Sequence, residues 1–319
     1  MRFAPEKWDL GILAIVLFLF AFFSLTTARF LSVGNLFDIL RQVSLLAILV
    51  VGVTYLMIAG EFDLSVGSNY GLLATLVGFL VVNRQVNPWL ATLIVIVLGM
   101  IVGFLNGLLV TGLGLSSFIV TFGSMITLRG ATDLVSGGFP ISATDFHSSF
   151  YSLLEGSFPG EIPHLVVLMI IITGIAGVVL ATTRFGCNVY AVGGSANAAR
   201  SCGINVRVVK VACFVITGGL CGIIAASLFG WIGIAPYNTG SGYELRAIAA
   251  AVLGGTGLFG GRGTVFGSVM GCVLLGMLTD GLIMMGVRQF WDGVASGGII
   301  LIAATIDLVL RQKTTKRSA

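Results

Sequence analysis

About ten long apolar runs set the terms on which this chain folds. Stretches such as LGILAIVLFLFAFFSL (10–25) and LVVLMIIITGIAGVVLA (165–181) are hydrophobic on every side. Crossing a hydrocarbon core takes about 20 mainly apolar residues as a helix. In lipid the backbone must pair with itself, so only helices and closed barrels span. Barrel strands alternate apolar and polar residues over about 10 positions, and these runs are longer and do not alternate. Only 9% of the 319 residues are charged and 57% are hydrophobic, against about 25% charged in a soluble domain. The chain is therefore expected to be an all-α polytopic membrane protein, one transmembrane domain over 1–319. The candidate spans lie near 9–28, 43–60, 65–82, 89–111, 114–135, 164–182, 209–233, 245–259, 264–285 and 291–310. The first is read as a retained helix, because its apolar core exceeds that of a signal peptide and no small-residue cleavage site follows. RFLSVGNLFDILRQ (29–42) is amphipathic and is expected to lie along the membrane surface.

Charge asymmetry orients the spans, since loops rich in Lys and Arg stay in the cytoplasm. Residues 183–210 hold Arg184, Arg200, Arg207 and Lys210 and no acid, whereas 136–163 hold Asp145, Glu155 and Glu161 and no Lys or Arg. The first is read as a cytoplasmic loop and the second as an external one. With ten crossings and a basic tail (311–319), both termini come out cytoplasmic. The net charge of +4 then follows from topology, and no nucleic-acid partner is implied.

Several familiar chemistries find no footing. The five cysteines form no C-x-x-C pair and read as small packing residues. His147 and His164 lack further ligands at metal spacing, so no metal site is expected. Gly255-Thr256-Gly257-Leu258-Phe259-Gly260 matches G-x-G-x-x-G, with Asp280 at the distance of a ribose-binding acid. That fingerprint needs a strand before it and an amphipathic helix after it, yet TVFGSVMGCVLLGMLTDGLI reads as a membrane span. Nor is it a P-loop, because Arg262 stands where the lysine would be. No nucleotide or other cofactor is expected, and the motifs of intramembrane proteases are absent from the sequence.

Two carboxylates demand explanation. Glu61 and Asp63 are the only charges between Arg41 and Arg84, in a stretch that also holds Gly60, Gly67 and Gly71. Such acids are costly in a membrane and are functional candidates by default. The glycine-rich stretches AGEFDLSVGSNYG (59–71) and GGTGLFGGRGTVFG (254–267) each separate two short apolar runs. Close helix packing accounts for membrane glycines; the alternative is a pair of repeats with discontinuous helices, which place irregular backbone beside a solute path.

The blocks FLSVGNLFDILRQVS, AGEFDLSVGS, LNGLLV, SSFIVTFGSM, TRFGCNVYAVGGSANAARSCGINV, GSGYELRAIAAAVLGGTGLFGGRGTVFGS and GLIMMGVRQFWDGVASGGIILIAATID resemble, in this order, the permease subunits of ribose-type ABC sugar importers. The resemblance covers nearly the whole chain. It implies a passage rather than an enzyme, with membrane lipid around it and three protein partners: a periplasmic sugar-binding protein, a second permease subunit (a copy or a relative), and a cytoplasmic ATPase with two fused nucleotide domains. It also implies that 184–207 is the segment coupling to the ATPase, with Arg184, Gly186, Ala198, Ala199, Arg200, Gly203 and Arg207 as candidates. Cys187 departs from the pattern, standing where many relatives carry a basic residue. Asp63, Ser65 and Gly67 match the family's D-L-S-x-G; Glu61 falls at a variable position. Asp63 either caps the helix starting near Ser65 or accepts sugar hydroxyls, and capping is favoured. Asn106, Ser117, Thr121 and Thr127 either line the path or bond between helices, and Gly254 and Gly255 mark a candidate helix break. An ion-coupled carrier with Glu61 and Asp63 as its ion site is the competing reading. The sequence does not name the sugar.

Overall fold

A computed structural model describes residues 7–27, 29–143, 149–158, 162–287 and 297–298. It is built from helices α1 (Lys7–Thr26), α2 (Val33–Ile58), α3 (Val66–Gly78, continued by a π-helical turn over Phe79–Asn83), α4 (Pro88–Leu113), α5 (Ser117–Ser136), α6 (Ser149–Glu155), α7 (His164–Thr182), α8 (Arg184–Gly194), α9 (Ala196–Ser201), α10 (Val206–Ile232), α11 (Tyr243–Leu253) and α12 (Val265–Met284). Seven of these, α2, α3 with its π turn, α4, α5, α7, α10 and α12, are long and apolar enough to cross a membrane. The all-α polytopic expectation stands. The span expected at 291–310 and the basic tail lie outside the described residues.

Two expectations are corrected. Residues 33–42 do not lie on a membrane surface: Ser32 caps α2, its hydroxyl accepting from the Asn35 N–H, and the helix runs unbroken to Ile58. The expected span 245–259 is helical only over the 11 residues of α11, about 16 Å at 1.5 Å per residue, half of a bilayer core. A non-helical stretch, 236–242, precedes α11, packed against α3. Gly67 and Gly71 admit it: a Cβ on either would meet the backbone of Gly240 or Thr239. The Thr239 carbonyl accepts from Arg129 Nη1 of α5 at 2.9 Å, as an irregular backbone at membrane depth requires.

The core is the packing of α10 on α4, α3 and α2. Helices α4 and α10 run antiparallel through glycines spaced at four. A Cβ on Gly99 or Gly103 would strike the backbone of Gly218 or Phe214, and one on Gly222 would strike Ile96. Small residues let membrane helices approach closely where lipid supplies no hydrophobic drive between them. These glycines serve packing.

The bundle has two ends. At one, β1 (Ile141–Ser142) pairs antiparallel with β2 (Ile234–Ala235), and α6 lies under Gly230 of α10, with Phe150 and Leu154 as its contacts. At the other sit α8 and α9, the loops 59–65 and 254–264, and the turn between α4 and α5.

Candidate functional site

Both loops begin with the same helix ending. After α2, the Gly60 N–H bonds to the Met57 carbonyl and the Glu61 N–H to that of Leu56; after α11, Gly255 bonds to Val252 and Thr256 to Ala251. Gly60 and Gly255 have φ of +80° and +85°, the left-handed turn of a Schellman ending, where glycine carries no Cβ penalty. The same ending closes α9 at Gly203, φ +81°. Its recurrence follows from ending a helix and does not by itself distinguish a repeat from chance.

Beyond the turn the loops diverge. In 59–65, Asp63 is buried and its Oδ1 accepts from the Ser65 N–H at 2.8 Å and from the Ser65 hydroxyl at 2.6 Å. Asn106 Nδ2 donates to the Ser65 hydroxyl at 3.0 Å, and the Ser124 hydroxyl donates to Asn106 Oδ1 at 2.6 Å. The hydroxyls of Ser117 and Thr121 accept from the free N–H groups of Phe62 and Leu64, at 3.3 and 3.0 Å. Asp63, Ser65, Asn106, Ser117 and Thr121 thus form one network bracing the break. Asp63 does so as an Asx turn on the N-cap residue, one step upstream of a cap on α3 itself. Thr127 stands apart, its hydroxyl returned to the Gly123 carbonyl.

The loop 254–264 is held by backbone and hydroxyls. Gly254 lies against the backbone of Gly267, so α11 and α12 meet there without side chains. The Thr256 and Ser268 hydroxyls bond at 3.1 Å, and Thr264 caps α12, accepting from the Gly267 N–H at 2.9 Å. The two loops touch: the Gly261 N–H donates to the Ile58 carbonyl at 2.9 Å, and Gly260 abuts Gly60.

The basic segment covers this junction. Thr183, Ser195 and Asn205 cap α8, α9 and α10 in turn, dividing the segment into two short helices. Gly193 lies against Ile58 and Gly261, and the Tyr190 hydroxyl donates to the Gly263 carbonyl at 2.6 Å. Arg184, Ala198, Arg200, Gly203 and Arg207 are exposed, whereas Gly186 and Ala199 are buried. Gly186 is small because it crosses the end of α7 at Leu180; it and Ala199 shape the segment and present nothing outward.

Glu61 forms an ion pair with Lys210, both largely shielded. By sequence alone Lys210 belongs to a cytoplasmic loop and Glu61 has no evident partner. Lys210 is the sole lysine between Lys7 and Lys313, and that isolation beside an unexplained acid was the available signal. Ser124 and Tyr190 were also missed. With Glu61 neutralised by Lys210 and Asp63 committed to Ser65, the two carboxylates do not converge on an ion site.

A polytopic helix bundle whose two interrupted helices meet beneath an exposed basic segment has the build of a membrane permease. The family described as the permease component of branched-chain amino acid transport systems matches residues 35–304, and the chain belongs to it. It is similar to the ribose import permease protein of Escherichia coli K12 (36% identity, 96% of each chain). The ribose import permease protein of Bacillus subtilis 168 is 36% identical over 89% of this chain and 88% of its own. The galactose/methyl galactoside import permease protein of Salmonella typhimurium LT2 is 34% identical over 93% of each. No solved structure matches. The chain is a multi-pass permease subunit of an ABC importer, a translocation component that works with an ATPase and a binding protein; ATP hydrolysis resides in a separate subunit. Family membership supports this reading over an ion-coupled carrier.

Proposed function

We propose that this chain passes a monosaccharide or a similarly sized polyhydroxylated solute from a periplasmic binding protein to the cytoplasm, and that α8 and α9 dock the ATPase. The supporting observation is the contrast between the ends. The α8–α9 end exposes Arg184, Arg200 and Arg207, while the charges in 136–163 are all acidic. The positive-inside rule puts the α8 end and both termini in the cytoplasm. The solute class follows the names of the relatives. The ATPase partner carries two fused nucleotide domains, and a second permease subunit, a copy or a relative, completes the passage.

The docking test is Ala198→Trp. Ala198 is exposed on α9, so bulk there meets a partner before it disturbs the fold. Gly203→Trp is a poorer probe, because a side chain at φ +81° strains the backbone whatever binds. The expected outcome is an inserted, monodisperse permease that no longer co-purifies with its ATPase. Retention of the ATPase with full uptake would count against docking at this surface.

A further inference from the structure

We propose that the Glu61–Lys210 ion pair and the Tyr190 hydroxyl are struts that tie the docking segment to both helix breaks, so that displacement of the segment moves the two breaks together. The inference rests on the docking reading above. Its basis is the convergence of three separate stretches of chain at one point. Gly193, on the last turn of α8, sits in backbone contact with Ile58, the last residue of α2, and with Gly261 of the second loop. Gly261 itself bonds to Ile58, so one carbonyl at the end of α2 holds the second loop while α8 closes over it. Backbone contacts of this kind cannot stretch without separating.

Two side chains extend the junction to the start of α12 and to the loop that carries Asp63. Tyr190 of α8 donates to Gly263, the residue before the cap of α12. Lys210, where α10 leaves the segment, pairs with Glu61, two residues before Asp63 and its network. The side chains of Lys210 and Glu61 are 17% and 12% exposed. At that shielding, removing one partner leaves an uncompensated charge that must find water or another partner, and the loop shifts off its seat. Packed elements of this kind move between discrete arrangements rather than deforming continuously. Glu61, Lys210 and Tyr190 are thus positioning residues for transport, acting through the loops.

The readout is solute taken up per ATP hydrolysed, in vesicles holding this chain with its ATPase and supplied with loaded binding protein. A merely structural lesion lowers uptake and hydrolysis together and leaves their ratio alone. Glu61→Gln and Lys210→Met are each expected to lower the ratio about fivefold or more, the size of a typical coupling energy, with the ATPase still bound. The exchange Glu61→Lys with Lys210→Glu is expected to restore most of it, and Tyr190→Phe to lower it about twofold, a hydrogen bond being the smaller loss. If a single charge variant does not insert, the exchange and Tyr190→Phe still decide. An unchanged ratio in the inserted variants, or an exchange as uncoupled as the singles, overturns the struts. Loss of the ATPase from Glu61→Gln also overturns them, since the pair would then shape the docking surface. A silent Ala198→Trp beside an uncoupled Glu61→Gln overturns the docking segment, and the struts with it.

Discussion

The two helix breaks solve one problem with different chemistry. Each must release backbone N–H groups inside a membrane protein and still satisfy them. The loop 59–65 uses side chains of its own and of two helices: Asp63 and Ser65 of the loop, Asn106 of α4, and Ser117, Thr121 and Ser124 of α5. The loop 254–264 relies on its own backbone and on glycines, four of which (Gly255, Gly260, Gly261 and Gly263) take positive φ. The first is held by bonds that a mutation removes one at a time. The second is held by close approach, which a single methyl group destroys.

Matched positions test that contrast most sharply. Ala59 and Gly254 are both the last residue before the left-handed turn, with φ of −72° in each. Neither needs glycine for its dihedral angles. A Cβ at 254, however, falls on the backbone of Gly267, and backbone cannot rotate away. Gly254→Ala is expected to cost about 3 kcal/mol, the upper range for overpacking, and Ala59→Gly about 1 kcal/mol or less. Thermal denaturation in mild detergent reads both. Equal small effects would mean that the second loop yields where this packing says it cannot.

The next effect in size separates the bonding schemes. Ser65→Ala removes the hydroxyl that donates to Asp63 and accepts from Asn106, breaking two buried bonds and leaving Asn106 Nδ2 without this acceptor, while Asp63 Oδ1 keeps the Ser65 N–H. The expected cost is about 2 kcal/mol, from the two buried bonds lost. Thr256→Val breaks a single bond, to Ser268, and the Ser268 hydroxyl keeps its bond to the Thr264 carbonyl; about 1 kcal/mol is expected. The order of the two melting shifts is the test, and a larger loss at Thr256 would reverse the assignment of which loop depends on side chains.

What was legible in the sequence follows the same division. Span hydrophobicity marked the long helices, because a 3.6-residue period is not needed to see a helix that is apolar all round. It overstated α11, since Ala247–Leu253 is as apolar as a full span and the run of turns over 236–242 depends on Gly67 and Gly71 of α3 accepting it. Asp63, Ser65, Asn106, Ser117 and Thr121 could be singled out as polar residues in apolar runs, but their meeting could not, because α4 and α5 bring them from more than 40 positions away. Glycine was the least readable signal. Gly99 and Gly218 serve helix contact, Gly60 and Gly255 a turn, and Gly193 a junction with two other stretches, and the residue looks the same in all three.

Asp63→Asn should have the smallest effect. The Asx turn uses one oxygen of the carboxylate, accepting from the N–H and hydroxyl of Ser65, and an amide oxygen accepts both bonds equally well. The substitution also removes a buried charge, which is costly at membrane depth. The strength that the charge lends to the two bonds and the cost of burying it nearly offset, so a change of under about 1 kcal/mol is expected with uptake close to wild type. An acid that carried a coupling proton would behave differently, because asparagine cannot exchange one. Uptake into vesicles with ATP supplied and the proton gradient collapsed by an uncoupler distinguishes the two. Persistence in wild type and in Asp63→Asn fits an acid whose work is to hold the loop; abolition in both would place the charge itself in the transport step and undo the contrast between a bonded break and a packed one.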